Sequence, residues 1–292
     1  MNVLVTGATG SVGSAIVRKL VADGHNVRGG SRHATQPGRL PAGAVGTALD
    51  FDQPATFGPA LAGAEAVVLV APPGDTLADV KMIPFIDQAL ASGTITFVLI
   101  SAMGIEFAPE STLGKLEAYL AANAPRYTFL QPTFFMENLS TGFFAQAFAH
   151  GGLRYNAADG KVGFISTDDI AAVAAAALAD AAHHGQAYPL TGPAALDHHQ
   201  VVAAINQAAG THFTYTPLSD EQMRQEMLET GMAAESAAFF VNLFAGVAQG
   251  FSAAVLPTVQ AVTGRAPIAF EEFAQANAHH WQRLAQARPA VA

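Results

Sequence analysis

The chain has 292 residues, 51% apolar and 13% charged, which is enough to bury a large core in one domain, with or without a smaller lobe. It has no cysteine, which excludes disulfides, thiolate metal sites, iron–sulfur clusters and a cysteine nucleophile. Its 14 basic and 23 acidic residues give a net charge of −9, which works against nucleic-acid binding through phosphate contacts.

Strands and helices alternate through the first half of the chain. A buried strand leads through a glycine turn to a helix that has apolar residues at helical spacing and stops at Gly24. The helix predicted for 79–93 contains Pro84. The predicted strands are 1–5, 25–31, 64–72, 95–102 and 126–132. This order predicts an α/β fold, a doubly wound parallel Rossmann sheet with right-handed crossovers.

The alternation decays after Thr133. Residues 164–180 predict a short strand that feeds a capped helix, and 187–192 predict one more strand. From about Leu196 the sequence is mostly helical, which indicates a smaller, mostly helical C-terminal lobe covering the carboxyl ends of the sheet. The predicted boundaries are 1–132 with 160–192 for the dinucleotide-binding core, and 133–159 with 193–292 for the substrate lobe.

Neither export nor membrane insertion is expected. The first ten residues, MNVLVTGATG, lack the basic start and continuous apolar core of a signal peptide. The longest apolar stretch, 233–256, carries Glu235, Asn242 and Gln249, which favours a buried or cavity-lining helix over a membrane span. We therefore expect a cytoplasmic monomer or homodimer with a small apolar substrate and without nucleic-acid or membrane partners.

The stretch TGATGSVG, residues 6–13, stands directly between the first strand and the first helix. Glycines in this context permit a tight turn, close approach of backbone amides to a pyrophosphate and close helix–strand packing, while the helix N-terminus supplies partial positive charge. The pattern predicts a dinucleotide site rather than a merely structural turn. The predicted cofactor residues in the turn are Gly7, Thr9, Gly10, Ser11, Val12 and Gly13.

The end of the second strand indicates which dinucleotide binds. A carboxylate there suits the ribose hydroxyls of NAD, whereas an arginine pairs with the 2′-phosphate of NADP. The stretch NVRGGSRH offers Arg28 and Arg32 and no acid, so we expect NADP(H) to be preferred over NAD(H), with Arg32 at the 2′-phosphate. A solvated Arg32 with a loose cofactor choice is the alternative.

Further cofactor contacts are expected after a third strand segment, which directly precedes Asp50, and at the end of the predicted strand 64–72. Asp50 and Phe51 would border the adenine, and a capping or turn role for Asp50 is an equal alternative. Ala71 and Pro72 would pass near the cofactor ribose.

Several motifs together resemble the NmrA-like branch of the short-chain dehydrogenase/reductase superfamily, often called atypical. In chain order they are VTGATGSVG, ISAMG, YTFLQPTFFMENL, DDIAAVAAAAL, YPLTGP and VTGRAPIAFEEFAQANAHHW. The resemblance covers nearly the whole chain and implies an NAD(P)H-dependent oxidoreductase. That family includes NADP-dependent reductases, such as type-two quinone oxidoreductases and triphenylmethane reductases, and regulators that bind the dinucleotide without turning it over.

The chain departs from the superfamily in its acid–base residues. Alignment on Glu117 as the family's helix glutamate puts Pro109 and Leu113 roughly where the superfamily's tyrosine and lysine would stand, and neither donates a proton. Gln131 occupies a position where family members commonly have arginine. Ordinary ketone reduction therefore loses its general acid.

Hydride transfer itself needs mainly that the nicotinamide ring and an electrophilic carbon be held in contact. We therefore predict an NADPH-dependent reductase of a quinone, an iminium, a dye cation or an activated alkene, with water supplying any proton. The alternative is a non-catalytic NADP(H)-binding sensor or regulatory protein.

Ser101, after a central strand, is the candidate to hydrogen-bond the nicotinamide amide or the acceptor, and a plain turn or cap serine is the alternative. Lys115 is a candidate for orienting the cofactor, against a solvated helix lysine. Tyr119 is expected to point elsewhere. The histidines occur mainly as adjacent pairs without ligand spacing, so no metal site is expected.

Aromatic residues crowd the chain after Pro132. They predict an apolar pocket that accepts an aromatic substrate, although core packing accounts for any one of them. The predicted substrate residues are Met103, Phe134, Phe135, Phe144 and Phe240.

Overall fold

The computed structural model describes residues 1–72, 74–94 and 96–286, and the chain divides into two compact units. The sheet unit comprises Met1–Pro132, Thr167–Leu190 and Thr258–Arg265, and the aromatic unit comprises Thr133–Ser166, Thr191–Pro257 and Ala266–Ala292. The strands are β1 (Asn2–Thr6), β2 (Asn26–Ser31), β3 (Val45–Ala48), β4 (Ala66–Val70), β5 (Thr96–Ile100), β6 (Arg126–Pro132), β7 (Gly152–Tyr155), β8 (Gln186–Leu190) and β9 (Thr214–Pro217). The helices are α1 (Ser11–Ala22), α2 (Phe57–Leu61), α3 (Ala78–Ala91), α4 (Thr112–Asn123), α5 (Thr167–Ala179), α6 (His198–Ala209), α7 (Asp220–Glu229), α8 (Ala234–Ala248), α9 (Thr258–Thr263) and α10 (Phe270–Gln286).

The sheet unit is built on seven parallel strands in the order β3-β2-β1-β4-β5-β6-β8. Strands β4 and β5 are buried along nearly their whole length, as their continuous apolar sequences predict for a parallel sheet. Because the chain runs outward from β1 to β3 and then crosses to β4, the strand order reverses beside β1. Ligands of such sheets bind at this switch point, outside the carboxyl ends of the strands. The predicted doubly wound sheet is confirmed.

Helix α3 forms across Pro84, as expected, because Met82, Phe85 and Ile86 bury one of its faces in the core of the sheet unit. The predicted start of β5 at Ile95 lies outside the described residues. The short strand predicted at the start of 164–180 is wrong, since Ile165 makes only a single bridge to Phe135. The chain enters α5 two residues later, which leaves no length for a ladder.

The aromatic unit contains a pairing that the sequence pattern does not predict. Strands β7 and β9 form a parallel two-stranded sheet that pairs Leu153 with Tyr215 and Tyr155 with Pro217. Four helices, α6, α7, α8 and α10, complete this unit, and α10 buries Trp281, whose Nε1 donates to the Leu139 carbonyl at 2.8 Å. Within the described part of the chain, no helix combines the length and the apolar character that crossing a bilayer requires.

Candidate functional site

The glycine turn after β1 is shaped by backbone contacts. Gly7 has φ +58°, a conformation that favours glycine, and its carbonyl accepts from the Gly10 amide at 2.9 Å. A Cβ on Gly13 would lie 2.2 Å from the Gly7 carbonyl oxygen, so α1 packs against the turn only because Gly13 has no side chain. Thr6 fastens the turn to the sheet, since its Oγ1 accepts from the Val70 amide at 2.8 Å. The result is a bare backbone cradle at the switch point.

The first turn of α1 suits an anion. It contains no acidic residue, and its N-cap, Gly10, makes no side-chain hydrogen bond to it. The helix therefore presents its positive end without a carboxylate of its own in the first turn. Thr9, on the turn, donates through Oγ1 to the Ser31 Oγ at 3.2 Å, which ties the turn to the end of β2.

The two arginines of β2 and its end have different surroundings. Arg28 lies within the strand and donates to the carbonyls of Ala60 at 2.9 Å and Ala62 at 2.7 Å. Arg32 directly follows the strand and is exposed, and no carboxylate among the described residues pairs with it. Of the two, Arg32 is therefore the arginine that is available to an anionic ligand.

The loops that follow β3 and β4 are joined by a lysine. Lys81 of α3 contacts Asp52 Oδ1 at 3.1 Å and Asp75 Oδ2 at 2.7 Å. Hydrogen bonding to Lys81 holds the pKa of Asp75 below its ordinary value of 3.8. Asp50 accepts from the Asp52 amide at 3.1 Å, which is the turn role left open by the sequence.

The remaining predicted cofactor residues of these loops are apolar. Phe51 is half-buried and packs edge-on against Phe85 with ring centroids 5.4 Å apart. Ala71 and Pro72 follow β4 directly and are half-buried. All three therefore keep part of their surface accessible after the ends of β3 and β4, two strands of the same parallel sheet.

Ser101 follows β5 and is buried, with 6% of its surface exposed. Its amide donates to the Leu130 carbonyl at 2.7 Å, whereas its Oγ has no hydrogen-bonding partner among the described residues. Buried hydroxyls are normally paired, so an orphaned one at a strand end fits a site completed by a ligand. Met103 lies two residues on, half-buried, with its amide bonded to the Pro132 carbonyl at 3.1 Å.

Lys115 and Tyr119 of α4 both engage carboxylates of α3. The Lys115 Nζ lies 3.8 Å from Asp79 Oδ2, and the Tyr119 hydroxyl donates to Asp87. That hydrogen bond raises the pKa of Tyr119, which makes the phenol a weaker acid. Neighbouring Glu117 accepts from the Gln131 Nε2 at 3.0 Å, so an uncharged amide occupies the position where arginine is expected.

The aromatic unit gathers rings from three parts of the sequence. Phe144 contacts Phe240 with centroids 5.9 Å apart and Phe244 at 5.5 Å, and Phe134 contacts Phe244 at 5.7 Å. Three of the predicted substrate residues therefore belong to one cluster. Phe135 makes no ring contact within the described residues, and it precedes the short helix Met136–Leu139.

Comparison with known proteins agrees with this geometry. A family model described as NAD(P)H-binding matches residues 7–181, which include the glycine turn from Gly7 onward, helix α5 and five of the seven strands of the sheet, β2 to β6. The chain belongs to this NAD(P)H-binding family. An NAD(P)H azoreductase from Xenophilus azovorans is 37% identical over 284 residues, covering 94% of this chain and 98% of that protein.

Two solved structures share the fold of this NAD(P)H-binding protein. The NADPH complex of a quinone oxidoreductase from Escherichia coli is 23% identical with a TM-score of 0.80, covering 94% of this chain and 99% of that one. The NADP(H) complex of a triphenylmethane reductase from Citrobacter sp. is 18% identical with a TM-score of 0.78, covering 95% and 100%. The expected family and the expectation of an NAD(P)H-dependent oxidoreductase are confirmed.

Sequence reasoning missed two polar residues of the aromatic cluster in this NAD(P)H-binding protein. Tyr155 and His198 are buried there with their centroids 5.6 Å apart. A tyrosine near a predicted loop and a histidine in an adjacent pair carry no local signal. Their burial follows from the pairing of β7 with β9 and from the start of α6, which only the fold reveals.

Proposed function

We propose that this chain is an NADPH-dependent reductase that passes hydride to an apolar, electron-poor organic acceptor. Quinones, iminium ions, dye cations and activated alkenes belong to this class, and the azoreductase relative adds azo compounds to it. A non-catalytic NADP(H)-binding sensor is the alternative that the experiment below distinguishes.

The observation that carries the proposal is the engagement of Lys115 and Tyr119 by carboxylates of α3. A general acid must be free to give up its proton to the reacting group. Tyr119 instead donates to Asp87, and its pKa is raised. Pro109 is exposed and Leu113 packs against the core, so neither replaces it. Such a site suits an acceptor that needs no strong acid.

The residues of the sheet unit fit a bound dinucleotide. The cradle of Gly7, Gly10 and Gly13 leaves room that a Cβ would fill, and the first turn of α1 adds no competing carboxylate. Arg32 is exposed and has no carboxylate partner among the described residues, and no acid stands at the end of β2, which supports NADPH over NADH.

Bound NADPH would supply a hydride, two electrons with one proton, and become NADP⁺ as the acceptor is reduced. Ser101 would hydrogen-bond the nicotinamide amide or the acceptor through its orphaned Oγ and so fix their geometry. A quinone then needs one further proton to become a hydroquinone. Water supplies it, because Tyr119 and Lys115 are engaged elsewhere.

The acceptor class follows from the ring cluster. Phe134, Phe144 and Phe240 are only partly buried, and they pack against the core of the aromatic unit. Rings of this kind present flat apolar faces that favour offset stacking with a planar guest. Met103 and Phe135 remain predicted contacts outside this cluster.

The test is NADPH consumption by the purified protein with menadione, an azo dye, a triarylmethane dye and an enone, with NADH in parallel. We expect turnover with at least one class, faster with NADPH. Ser101→Ala should lower kcat about 10-fold, as the loss of one uncharged hydrogen bond predicts, while Tyr119→Phe leaves it unchanged. Tight NADPH binding without turnover across the panel would favour the sensor, and loss of activity in Tyr119→Phe would restore a tyrosine acid.

A separate variant tests the proposed acceptor pocket. Phe144→Leu keeps most of the buried volume but removes a flat face, so we expect acceptor KM to rise about 10-fold, as the loss of one aromatic stack worth ~1.5 kcal/mol implies. NADPH affinity should not change. An unchanged acceptor KM would show that Phe144 serves only core packing.

A further inference from the structure

Tyr155 and His198 contact each other inside the aromatic unit although they are 43 residues apart in the sequence. Tyr155 is the last residue of β7, and His198 is the first residue of α6. Their ring centroids are 5.6 Å apart, and both rings contact Phe244. The pairing of β7 with β9 and the start of α6 thus bring two polar side chains into an apolar cluster.

Both side chains are buried with a polar atom unpaired. Tyr155 is 5% exposed and His198 is 2% exposed. Among the described residues, the Tyr155 hydroxyl and the His198 Nδ1 have no hydrogen-bonding partner. Buried polar groups without a partner are uncommon because they have lost their water without compensation. Two of them in one cluster indicate a guest that supplies the missing partner.

A neighbouring tyrosine shows that the cluster is able to satisfy a hydroxyl. Tyr215 of β9 stacks on His198 with centroids 5.1 Å apart, and its hydroxyl donates to the Ala158 carbonyl at 3.0 Å. Tyr155 has the same phenol in the same cluster without such a partner. The Tyr215 hydroxyl therefore has a structural role, whereas the Tyr155 hydroxyl is available to a ligand.

The pair is uncharged at neutral pH. Burial, together with the nearby Tyr215, raises the pKa of Tyr155, so the phenol keeps its proton. Burial lowers the pKa of His198 to about 4, an effect that His199 strengthens and Asp197 opposes. An uncharged hydroxyl donor in an apolar surrounding suits a neutral guest with an oxygen or nitrogen acceptor and disfavours an ion.

Stacked rings connect this pair to the surface. Phe244 stacks on Tyr155 with centroids 4.3 Å apart, and Phe144 meets the edge of Tyr155 at 5.3 Å. Phe143 stacks on Phe240 at 4.9 Å and is 59% exposed. This run of ring contacts therefore has an exposed ring at one end and the polar pair at the other.

We propose that Tyr155 and His198 are the polar anchor of the acceptor site: they hydrogen-bond a carbonyl oxygen or a comparable uncharged acceptor atom on an aromatic molecule that inserts among these rings. The inference rests on the proposed function, because it names the side chains that recognise the acceptor. It concerns binding and is tested without turnover.

The experiment compares two probes that share a fused ring and a methyl group. Menadione has two carbonyls and 2-methylnaphthalene has none, and the absence of cysteine removes the usual covalent side reaction of menadione. Binding is measured by equilibrium dialysis without NADPH. We expect wild type to prefer menadione, and Tyr155→Phe to lower menadione affinity about 10-fold while 2-methylnaphthalene affinity stays the same. His198→Leu should reduce the same preference.

Tyr215→Phe is the matched control, since it removes a hydroxyl that is already bonded to the backbone. It should lower Tm and leave the menadione preference intact, whereas Tyr155→Phe should keep Tm at or above that of wild type. An unchanged preference in Tyr155→Phe, or a fall in its Tm like that of Tyr215→Phe, would overturn the proposal.

The two levels of the proposal fail separately. Suppose that the protein reduces menadione with NADPH but that Tyr155→Phe keeps the preference for menadione over 2-methylnaphthalene. This result would overturn the proposed anchor and support the proposed reductase. A Tyr155-dependent preference without any turnover would support the anchor and overturn the reductase.

Discussion

Among the described residues, the sheet unit and the aromatic unit both bury an unpaired hydroxyl, that of Ser101 in the first and that of Tyr155 in the second, but they differ in how they treat their ionisable side chains. In the sheet unit, Asp75, Asp79 and Asp87 each have a lysine or a tyrosine as partner. In the aromatic unit, the Tyr155 hydroxyl and the His198 Nδ1 are buried without one among the described residues. The first arrangement ties the loop after β4 to α3 and joins α3 to α4. The second costs stability, and a protein tolerates that cost where a site needs an unpaired group.

The largest expected effect is the loss of stability at low pH that His198 of the aromatic unit causes. Because burial holds the pKa of His198 at about 4 against an ordinary 6.5, the folded state resists a proton that the unfolded chain accepts. Buried neutral His198 therefore has its full effect on the free energy of unfolding above pH 6.5. As the pH falls toward 4, that free energy decreases by about 3 kcal/mol at most. Urea unfolding of wild type and His198→Leu at pH 7 and pH 4.5 measures it. Equal losses in both proteins would contradict a buried neutral His198.

The glycine cradle offers the sharpest test on the sheet side. Gly13→Ala should weaken NADPH binding roughly 100-fold, since a Cβ 2.2 Å from the Gly7 carbonyl oxygen forces α1 away from the turn. Gly10→Ala is the graded comparison, because its Cβ would lie 3.3 Å from the same oxygen. Calorimetric titration with NADPH reports the affinity. Menadione binding without NADPH should survive, and its loss would show that the variant has damaged both units.

The choice of dinucleotide should depend on Arg32. Arg32→Ala is expected to weaken NADPH binding about 30-fold and to leave NADH binding unchanged, as the loss of a hydrogen bond to a charged group predicts. Arg28→Ala serves as control, since Arg28 is bonded to the Ala60 and Ala62 carbonyls. It should lower stability without altering the ratio of the two affinities. Equal losses of both dinucleotides in Arg32→Ala would remove Arg32 from the 2′-phosphate.

The smallest effect is expected from Lys81, which joins the loops after β3 and β4. Lys81→Met should weaken NADPH and NADH equally, about 3-fold, because a half-buried ion pair between loops contributes little and both loops would serve either dinucleotide. The Asp75 side of this pair is present above pH 3.8 and is lost below it. Lys19→Met, which breaks the pair with Asp23, is the control. A change in the NADPH to NADH ratio would contradict a purely positional role.

Local patterns determined most of the sheet unit. Continuous apolar segments gave β4 and β5, helical spacing gave α1, and glycines between β1 and α1 located the turn. These features depend on neighbouring residues, so the sequence contains them directly. The candidate cofactor residues on this unit could be named for the same reason.

Tertiary structure decided which side chains are engaged and which are open. The sequence favours Arg32 as the ligand of the 2′-phosphate, and only the fold shows that Arg28 is bonded to the Ala60 and Ala62 carbonyls. Tyr119 is expected from the sequence to point elsewhere, and only the approach of α3 shows that its hydroxyl donates to Asp87. Tyr155 and His198 had no sequence signal at all, because the parallel pairing of β7 with β9 joins segments about sixty residues apart, and such long-range contacts leave no local period. The sequence by itself determined the family, the sheet and the dinucleotide turn, whereas packing alone decided the polar groups of the aromatic unit.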